Sequence, residues 1–319
     1  MITSFRRSRL EPWPQGSVIS LGMFDGMHLG HQAILAANVA AARKLGAVPT
    51  AVTFRRHPKR LLLGHAPRTL TTLEHRLELF ERAGIAHAVV LNFDSTLRSL
   101  SAAEFTRLVA VEGLGVRRFV LGFDSKFGRG REGNAGFLRE QGFEVEVVSK
   151  VLVLGRPVSS TAIREAVELG DLAAATAMLG RPVSVFGRVV HGSSLGHRIG
   201  FPTANIDTHH ELHPPPGVYA CRVHHLPRAG GSGHAPHALY AGVANIGFRP
   251  TVAPEPPRHP QVEVHVLDFG GDLYGERIEL EFVAHLRGEK RFAGVDELAL
   301  QIARDVAAAR EILGDRERR

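Results

Sequence analysis

The stretch Val18-Ile19-Ser20-Leu21-Gly22-Met23-Phe24-Asp25-Gly26-Met27-His28-Leu29-Gly30-His31 decides the fold of the first half of this 319-residue chain. A short apolar run ends at Leu21, glycines follow, and a helical pattern runs from Gln32 to about Leu45. Strand, glycine-rich turn and helix together predict a phosphate site, because glycines let an anion approach the backbone and the first helix amides point at it. His28 and His31 add side-chain donors nearby.

The spacing of the two histidines supports this interpretation more strongly than either residue alone. The chain holds 18 histidines, so a single one is best explained as a surface residue. Two histidines in the pattern His-x-Gly-His, at a strand-to-helix turn, favour phosphate binding instead.

Composition places the chain among folded, water-soluble proteins. Hydrophobic residues make up 44% and charged residues 22% of the sequence, close to the average of globular domains. No apolar stretch reaches transmembrane length, and no apolar signal core follows the arginines near residue 6. The single cysteine, Cys221, excludes an internal disulfide and a cysteine metal cluster. We therefore expect a cytoplasmic protein.

The chain is basic, with a formal net charge of +7 and a pI of about 10.1. Such a charge suits either nucleic acid or small anionic substrates such as ATP and flavin phosphates. The basic residues are scattered, and the sequence shows no zinc-finger, RRM or KH pattern. Charge alone leaves both classes of partner open.

The first half of the chain alternates strand-like and helix-like segments. This alternation predicts a parallel, doubly wound α/β sheet, in which ligands bind beyond the carboxyl ends of the strands. The predicted strands lie near residues 18–21, 47–54, 87–91, 118–122 and 143–148. The predicted helices lie near 32–45, 72–83, 101–112, 134–141, 161–168 and 172–179, with a capping box from Ser101 to Glu104.

The pattern changes after Gly180-Arg181-Pro182. Strands followed by one terminal helix predict a small antiparallel barrel with that helix packed on it. We place the domain boundary here, so that the first domain is residues 1–182 and the second is residues 183–319. The later strands are predicted near 183–191, 218–224, 239–245, 262–268 and 277–285, and the helix near 295–313.

Two further segments of the first half are candidates for nucleotide binding. The loop from Gly122 to Arg131 contains Asp124, glycines and basic residues, although an ordinary surface loop explains it equally well. Ser160, Thr161 and Arg164 open a helix, where hydroxyls and an arginine suit phosphate oxygens. Simple capping of that helix by a serine is compatible with the same pattern, because a cap does not use the arginine.

In the second half, Gly200-Phe201-Pro202-Thr203-Ala204-Asn205 follows a glycine-rich loop that begins at Gly192. The oxygens of Thr203 and Asn205 are of the type that Mg²⁺ accepts beside a nucleotide. Glu263 lies in an alternating strand, on the same face as His265. Two solvent-facing polar residues would give this pattern, but an acidic residue near bound ATP can also accept a proton from an attacking hydroxyl.

These motifs, in this order, resemble the prokaryotic bifunctional riboflavin kinase/FAD synthetase family over nearly the whole chain. The resemblance implies a Rossmann-like nucleotidyltransferase domain followed by a riboflavin kinase-like barrel. The segment from residue 22 to 31 is similar to the nucleotidyltransferase motif of that family. The other matching segments are residues 159–164 (second nucleotide motif), 200–205 (kinase motif for magnesium and nucleotide), 242–251 and 267–275.

The resemblance implies two reactions. In the second domain, a ribityl hydroxyl of riboflavin attacks the γ-phosphorus of MgATP, giving FMN and ADP. By motif, Glu263 is the base, and Thr203 and Asn205 hold Mg²⁺. In the first domain, the phosphate of FMN attacks the α-phosphorus of ATP, giving FAD and pyrophosphate, with His28 and His31 binding phosphate and stabilising the transferred group.

The resemblance also assigns binding residues and partners. Arg287 and Phe292 are the expected flavin-binding residues. Expected partners are small-molecule substrates and recipient apoflavoproteins, with a homo-oligomer left open, and neither nucleic acid nor a membrane is expected. The expected nucleotide-binding residues are Gly22, Phe24, Asp25, Gly26, Gly30, Asp124, Ser160, Thr161, Arg164, Gly192, Gly200 and Pro202.

The sequence departs from the family pattern at three places. Arg55-Arg56 stand where the family has an acidic residue and then proline, and Ser125 stands where it has phenylalanine. In the kinase loop, His197 replaces an arginine that appears one place later. The first two departures favour an alternative, a riboflavin kinase with a degenerate adenylyltransferase domain, which the intact His-x-Gly-His motif opposes.

Two further alternatives come from other functions. A non-catalytic regulator that binds flavin or nucleic acid would suit the basic pI, but such a protein needs neither Pro-Thr-Ala-Asn nor Glu263. An adenylyltransferase for another phosphorylated acceptor, such as pantetheine phosphate, would leave the barrel without a function.

Overall fold

The computed structural model describes residues 1–5, 10–58, 61, 64, 66–191, 199–209, 211–226, 238–248 and 260–314. Contacts group the chain into two compact units. The first comprises Met1–Pro67 and Leu73–Ser160, and the second comprises Arg68–Thr72 and Thr161–Arg319. The two helices that were expected to close the first half thus pack with the second unit, and a functional boundary at residue 182 remains a prediction.

The first unit is built on a six-stranded parallel sheet in the order β1–β4–β3–β2–β5–β6. The order reverses between β2 and β5, and ligands of doubly wound folds bind at such a switch point. The predicted parallel sheet is confirmed. Its strands are β1 (Ile2–Ser4), β2 (Ser17–Leu21), β3 (Val48–Phe54), β4 (His87–Leu91), β5 (Val116–Gly122) and β6 (Val145–Val148).

Helices cover both faces of this sheet. On one face, Val18, Ala51 and Ala88 pack beneath α1 and α2; on the other, Ile19 and Val52 join a cluster with the later helices. Consecutive side chains of a buried strand thus pack on opposite faces of the sheet, because side-chain direction in a strand alternates with a period of two residues. The helices of this unit are α1 (Leu29–Leu45), α2 (Leu73–Arg82), α3 (Ser95–Ser99), α4 (Ala102–Phe105) and α5 (Ala135–Glu140).

The buried amide of Asn38 fixes α1 on the sheet. Its Nδ2 donates to the carbonyl oxygen of Val18 at 3.0 Å and to Ser20 Oγ at 2.9 Å. A third contact reaches the carbonyl oxygen of Thr50 at 3.3 Å. The helix is therefore tied to both β2 and β3, which fixes the position of its N-terminus above the sheet.

The predicted capping box at the start of α4 is confirmed. Ser101 Oγ accepts from the backbone N–H of Glu104 at 3.2 Å, and the Glu104 carboxylate accepts from the Ser101 N–H at 2.8 Å. The Ser101 hydroxyl also donates to this carboxylate at 2.8 Å, and the two bonds that the carboxylate accepts, first from the N–H and then from the hydroxyl, lower the pKa of Glu104. The single helix expected over residues 101–112 is instead α4 followed by a π-helical stretch, Thr106–Val111.

The second unit contains a closed antiparallel barrel in the order β10–β13–β12–β11–β14–β9. The terminal helix α8 (Val295–Leu313) packs on it through Ala309 and Leu313 against Val218 and Val243. The predicted barrel and helix are confirmed. The strands are β9 (Val183–Val190), β10 (Ala204–Asp207), β11 (Gly217–Leu226), β12 (Ala238–Gly247), β13 (Gln261–Val266) and β14 (Arg277–Arg287).

Four short elements lie between the last strand of the sheet and the first strand of the barrel in the sequence. A small hairpin is formed by β7 (Leu152–Val153) and β8 (Arg156–Pro157), and α6 (Ser160–Glu168) and α7 (Leu172–Leu179) follow it. Strand β10 was not predicted. Among the helices of the described residues, none has the length and apolar character needed to cross a membrane.

Candidate active sites

The turn between β2 and α1 holds a strained backbone. Gly26 has a φ of 81°, which a glycine adopts freely. Phe24 and Met27 also lie in the left-handed region, with φ values of 52° and 43°, although both are bulky and almost fully buried. Such a conformation persists only where packing enforces it, and it concentrates at functional sites.

His28 closes this turn as the N-cap of α1. Its Nδ1 accepts from the backbone N–H of His31 at 3.3 Å, which leaves the proton of the neutral ring on Nε2. The two imidazoles stack, with centroids 3.6 Å apart and planes inclined by 17°. A Cβ on Gly30 would lie 3.2 Å from the His28 ring, so the glycine gives this ring its room.

His31 is held in the neutral form. Its Nδ1 is buried and has no hydrogen-bond partner among the described residues. Burial, followed by the neighbouring charges of His28 and Arg76, lowers the pKa of His31 well below the ordinary 6.5. At neutral pH an anion at this turn would therefore meet helix amides and a neutral His31 ring.

The structure gathers most of the predicted residues of the first site around this turn. Ser160 Oγ donates to the carbonyl oxygen of Asp25 at 2.9 Å. A Cβ on Gly22, at the end of β2, would lie 3.1 Å from the Phe24 ring. Asp124 is exposed on the loop after β5, the strand next to β2. Ser160 therefore contacts the turn directly, rather than merely capping its own helix.

Two residues of the second nucleotide motif belong to the second unit by contacts. Thr161 is exposed, and Arg164 Nε donates to the carbonyl oxygen of Arg68 at 2.7 Å. Their assignment to the nucleotide site remains a prediction.

In the barrel, register brings three polar residues side by side. Asn205 of β10 lies directly opposite Glu263 of β13, which in turn lies opposite Asn245 of β12. Residues in such positions share a face of the sheet. Val262 and Val264 are buried on the other face, which confirms the predicted alternation around Glu263.

A cavity of about 290 Å³ lies beside this segment of the barrel. The predicted residues Pro202 and Thr203 border it, whereas Asn205 and Glu263 alternate with the lining residues Ala204 and Val264. The cavity is mostly apolar, and its polar side-chain groups are those of Thr203, Asp272 and Tyr274. Its lining is completed by Val189, Val266, Phe269, Gly271, Asp272, Leu273 and Tyr274.

His265 anchors the segment that leads into β10. Its Nδ1 lies 2.8 Å from the carbonyl oxygen of Pro202, and its ring is edge-on to Phe201 at 5.5 Å between centroids. Gly200, which precedes this segment, is exposed and has a φ of 84°. Gly192 and His197 lie outside the described residues.

The two predicted flavin-binding residues lie together where β14 meets α8. Arg287 donates from Nε and Nη2 to the buried carboxylate of Asp305 at 3.0 and 2.8 Å. Its guanidinium lies 5.7 Å from the centroid of the Phe292 ring. The arginine is thus held rigidly beside an aromatic ring, and flavin binding there remains a prediction.

The departures in the first unit follow β3 and β5 and are not part of the His-x-Gly-His turn itself. Arg55 and Arg56 are exposed, and the Arg55 guanidinium lies 5.3 Å over the Phe5 ring. Ser125 donates its N–H to the carbonyl oxygen of Gly122 in a tight turn. None of these contacts disturbs the geometry around His28.

Sequence reasoning gave no role to Arg76 or Asn245. Arg76 was missed because the apolar stripe Leu73, Leu77 and Phe80 was taken as the buried face of α2, whereas His75 and Arg76 are buried too. Asn245 lies in segment 242–251, whose similarity to the family could have marked it as a functional residue. Only the strand register shows that it is next to Glu263.

The donor set of the barrel fits magnesium. Thr203, Asn205 and Glu263 offer hydroxyl, amide and carboxylate oxygens, the ligand types that Mg²⁺ prefers. In the part of the chain that the structure describes, no three His, Cys, Asp or Glu side chains converge on a point that could hold a metal. This chemistry suits an ion that arrives with nucleotide phosphates.

Comparison with known proteins agrees with this geometry. The FAD synthetase family model matches residues 10–162, and the riboflavin kinase family model matches residues 179–313. A solved structure titled as a macrolide-efflux protein from Streptococcus pneumoniae superposes with a TM-score of 0.80 at 30% identity, covering 97% of this chain and 99% of that one.

Two curated relatives extend over almost the whole chain. The bifunctional riboflavin kinase/FMN adenylyltransferase of Escherichia coli K12 is 39% identical over 305 residues, 94% of each chain. The protein of the same name from Bacillus subtilis is 35% identical over 303 residues, 91% of this chain and 90% of that one. The chain belongs to the family of bifunctional riboflavin kinase/FMN adenylyltransferases.

Proposed function

We propose that this protein makes FAD from riboflavin in two ATP-dependent steps. The barrel phosphorylates riboflavin to FMN, and the site at the β2–α1 turn adenylylates FMN to FAD with release of pyrophosphate. The observation that carries the proposal is the presence, in one chain, of a strand-to-helix turn capped by His28 and of a separate barrel face that carries a carboxylate between two amides. Each lies within the matching family segment.

At the turn, catalysis rests on positioning and charge. The first amides of α1 and the Nε2–H of His28 point toward the place where the phosphates of ATP bind. The phosphate of FMN is already ionised, so an oxygen of it attacks the α-phosphorus without a base while pyrophosphate leaves. His31 binds phosphate beside His28, and the motif also assigns Ser160, Thr161 and Arg164 to the phosphates. The bond from Ser160 to the carbonyl oxygen of Asp25 keeps the turn in shape. No covalent enzyme intermediate is needed.

On the barrel, Glu263 acts as the general base. It accepts the proton of the ribityl hydroxyl as that oxygen attacks the γ-phosphorus of ATP, and ADP leaves. Asn245 and Asn205, which flank Glu263 in register, orient it and the reacting groups. The apolar cavity beside Pro202 and Thr203 receives the adenine base, since flat ligands favour apolar slots with few polar groups.

Thr203 and Asn205 would hold the magnesium ion together with the nucleotide, and the ion would supply positive charge that offsets that of the phosphates. Arg287 and Phe292 hold the flavin, and the backbone at Gly200 and Pro202 supports the nucleotide. The products FMN and FAD then pass to apoflavoproteins in the cytoplasm.

A timed separation of flavins by HPLC tests the proposal. Purified protein is incubated with ATP and Mg²⁺ and either riboflavin or FMN. We expect riboflavin to give FMN first and FAD later, and we expect FMN to give FAD directly. FMN formation without FAD would instead support the alternative of a kinase with a degenerate first domain, and no product from either flavin would contradict both.

A further inference from the structure

A buried arginine lies beneath the phosphate-binding turn. Arg76, on α2, is 1% exposed. Its Nη1 donates to the carbonyl oxygen of Met23 at 2.5 Å, and its Nη2 donates to that of Phe54 at 3.1 Å. Met23 lies in the turn after β2, and Phe54 is the last residue of β3. One guanidinium therefore fastens the turn to the end of the neighbouring strand.

Burial of the Arg76 charge has a large desolvation free energy, yet the side chain is buried in the folded unit. Removing a guanidinium from water disfavours its charged form, and burial lowers the pKa of Arg76 to about 10, against an opposing effect of the Asp25 carboxylate. The group thus remains charged at neutral pH. Its Nε has no hydrogen-bond partner among the described residues, so bonding of the side chain rests on the two carbonyls.

The charge of Arg76 also acts on His31. The charged and titratable groups that face His31 are His28 from the turn and Arg76 from α2, while Asp25 faces Arg76. Protonation of His31 would place a second cation beside the guanidinium. Arg76 therefore favours the neutral ring of His31, and it supplies in its place a charge that does not titrate near neutral pH.

We propose that Arg76 is a positioning residue of the adenylyl-transfer site, where it holds the glycine-rich turn in its strained shape and supplies a fixed positive charge beneath the bound phosphates. This inference rests on the proposed adenylyltransferase activity. It explains why a helix with a one-sided apolar stripe buries an arginine. It also predicts that FAD formation depends on the charge as well as on the hydrogen bonds of this side chain.

The test compares Arg76→Met and Arg76→Lys in the full chain, with Arg82→Met as the matched control. Arg82 lies on the same helix, is exposed, and is paired with Glu78. For each protein, kcat and KM for ATP in the conversion of FMN to FAD are measured from about pH 5 to about pH 9. Conversion of riboflavin to FMN by the same preparation reports whether the second unit is intact, and the fluorescence of Trp13 reports folding of the first.

Loss of the charge in Arg76→Met is expected to lower kcat/KM for ATP about 100-fold. The acid limb of its pH profile should move to higher pH, because the pKa of His31 rises once the cation is gone. Arg76→Lys should keep the wild-type pH profile with a smaller loss, since it keeps the charge but not the fork of donors. Arg82→Met and every riboflavin kinase rate should be unchanged.

Two results would overturn the inference while FAD formation by the wild type stands. One is an Arg76→Met protein with the wild-type KM and pH profile. The other is an Arg76→Lys protein in which the acid limb of the pH profile of FAD formation moves to higher pH. This second result can be obtained even if Arg76→Met does not fold. Failure of the wild type itself to convert FMN to FAD would refute the proposed function rather than the role of Arg76.

Discussion

The β2–α1 turn and the β10–β13–β12 face of the barrel serve similar substrates by different means. The turn is built from backbone: left-handed residues, helix amides and a capping imidazole, all fixed from below by Arg76. The barrel face is built from side chains, which regular strands place in register around Glu263. One site thus depends on shape and the other on the identity of a few groups, so different substitutions should damage them.

The largest effect is expected at the barrel face. Glu263→Gln keeps the size of the side chain but removes the base, so formation of FMN from riboflavin should fall about 1000-fold. Conversion of FMN to FAD should be unchanged, because that reaction takes place in the other unit. Both rates are read from timed flavin separations. Glu311→Gln, an exposed carboxylate on α8, is the control, and equal losses in the two variants would contradict the assignment.

A second pair of variants separates the two roles of His28. His28→Asn keeps a good N-cap for α1 but removes the imidazole, so FAD formation should fall about 100-fold with little change in thermal stability. His28→Ala should lose the same activity and also about 1 kcal/mol of stability. Rates of FAD formation and melting temperatures check this. Retained activity in His28→Asn would show that the ring serves as a cap alone.

The backbone of the turn is tested by Gly26→Ala, against Gly142→Ala. Both glycines have a left-handed φ, 81° and 84°, so each substitution should destabilise the fold by roughly 1 kcal/mol. Only Gly26→Ala should also slow FAD formation, by about 10-fold. If both variants lost activity to the same extent, the effect would lie in stability rather than in the shape of the turn.

The smallest effect concerns acid stability. Trp13 Nε1 donates to Nδ1 of His87 at 3.1 Å, and burial lowers the pKa of His87, as it lowers that of His31. Below about pH 6.5 these histidines bind protons in the unfolded chain but stay neutral in the folded first unit. The free energy of unfolding of this unit should therefore reach its maximum above that pH and decrease as the pH falls.

The fluorescence of Trp13, the only tryptophan of the chain, measures this decline directly. Denaturant unfolding at a series of pH values gives the free energy of the first unit alone, and His87→Gln should flatten its dependence on pH. A stability that stays constant or increases on acidification in the wild type would contradict the stated direction.

The sequence indicated the architecture well where local rules agree with tertiary structure. Alternating strands and helices predicted the parallel sheet, and the capping box at Ser101 appeared as expected. Strand β10 was missed, because its four residues, Ala204–Asp207, follow a proline and glycine-rich loop and become a strand only between β9 and β13. Short strands of this kind owe their existence to their neighbours.

The sequence motifs predicted the candidate residues of both sites, but not the buried residue that holds the β2–α1 turn in place. His28, His31, Asn205 and Glu263 stand out by spacing, and the structure places each pair together. Arg76 could not be found this way, since a charged residue on an amphipathic helix is expected in water. Its burial follows from where α2 packs, which a one-dimensional pattern does not contain.

The most direct test of the central claim, two independent reactions in two parts of one chain, is a mixing experiment. Glu263→Gln and His28→Asn are each given riboflavin, ATP and Mg²⁺, alone and together, and the flavins are followed in time. We expect almost no product from the first, FMN alone from the second, and FAD from the mixture after a lag in which FMN accumulates. Absence of FAD from the mixture, or loss of both activities in either variant, would contradict it.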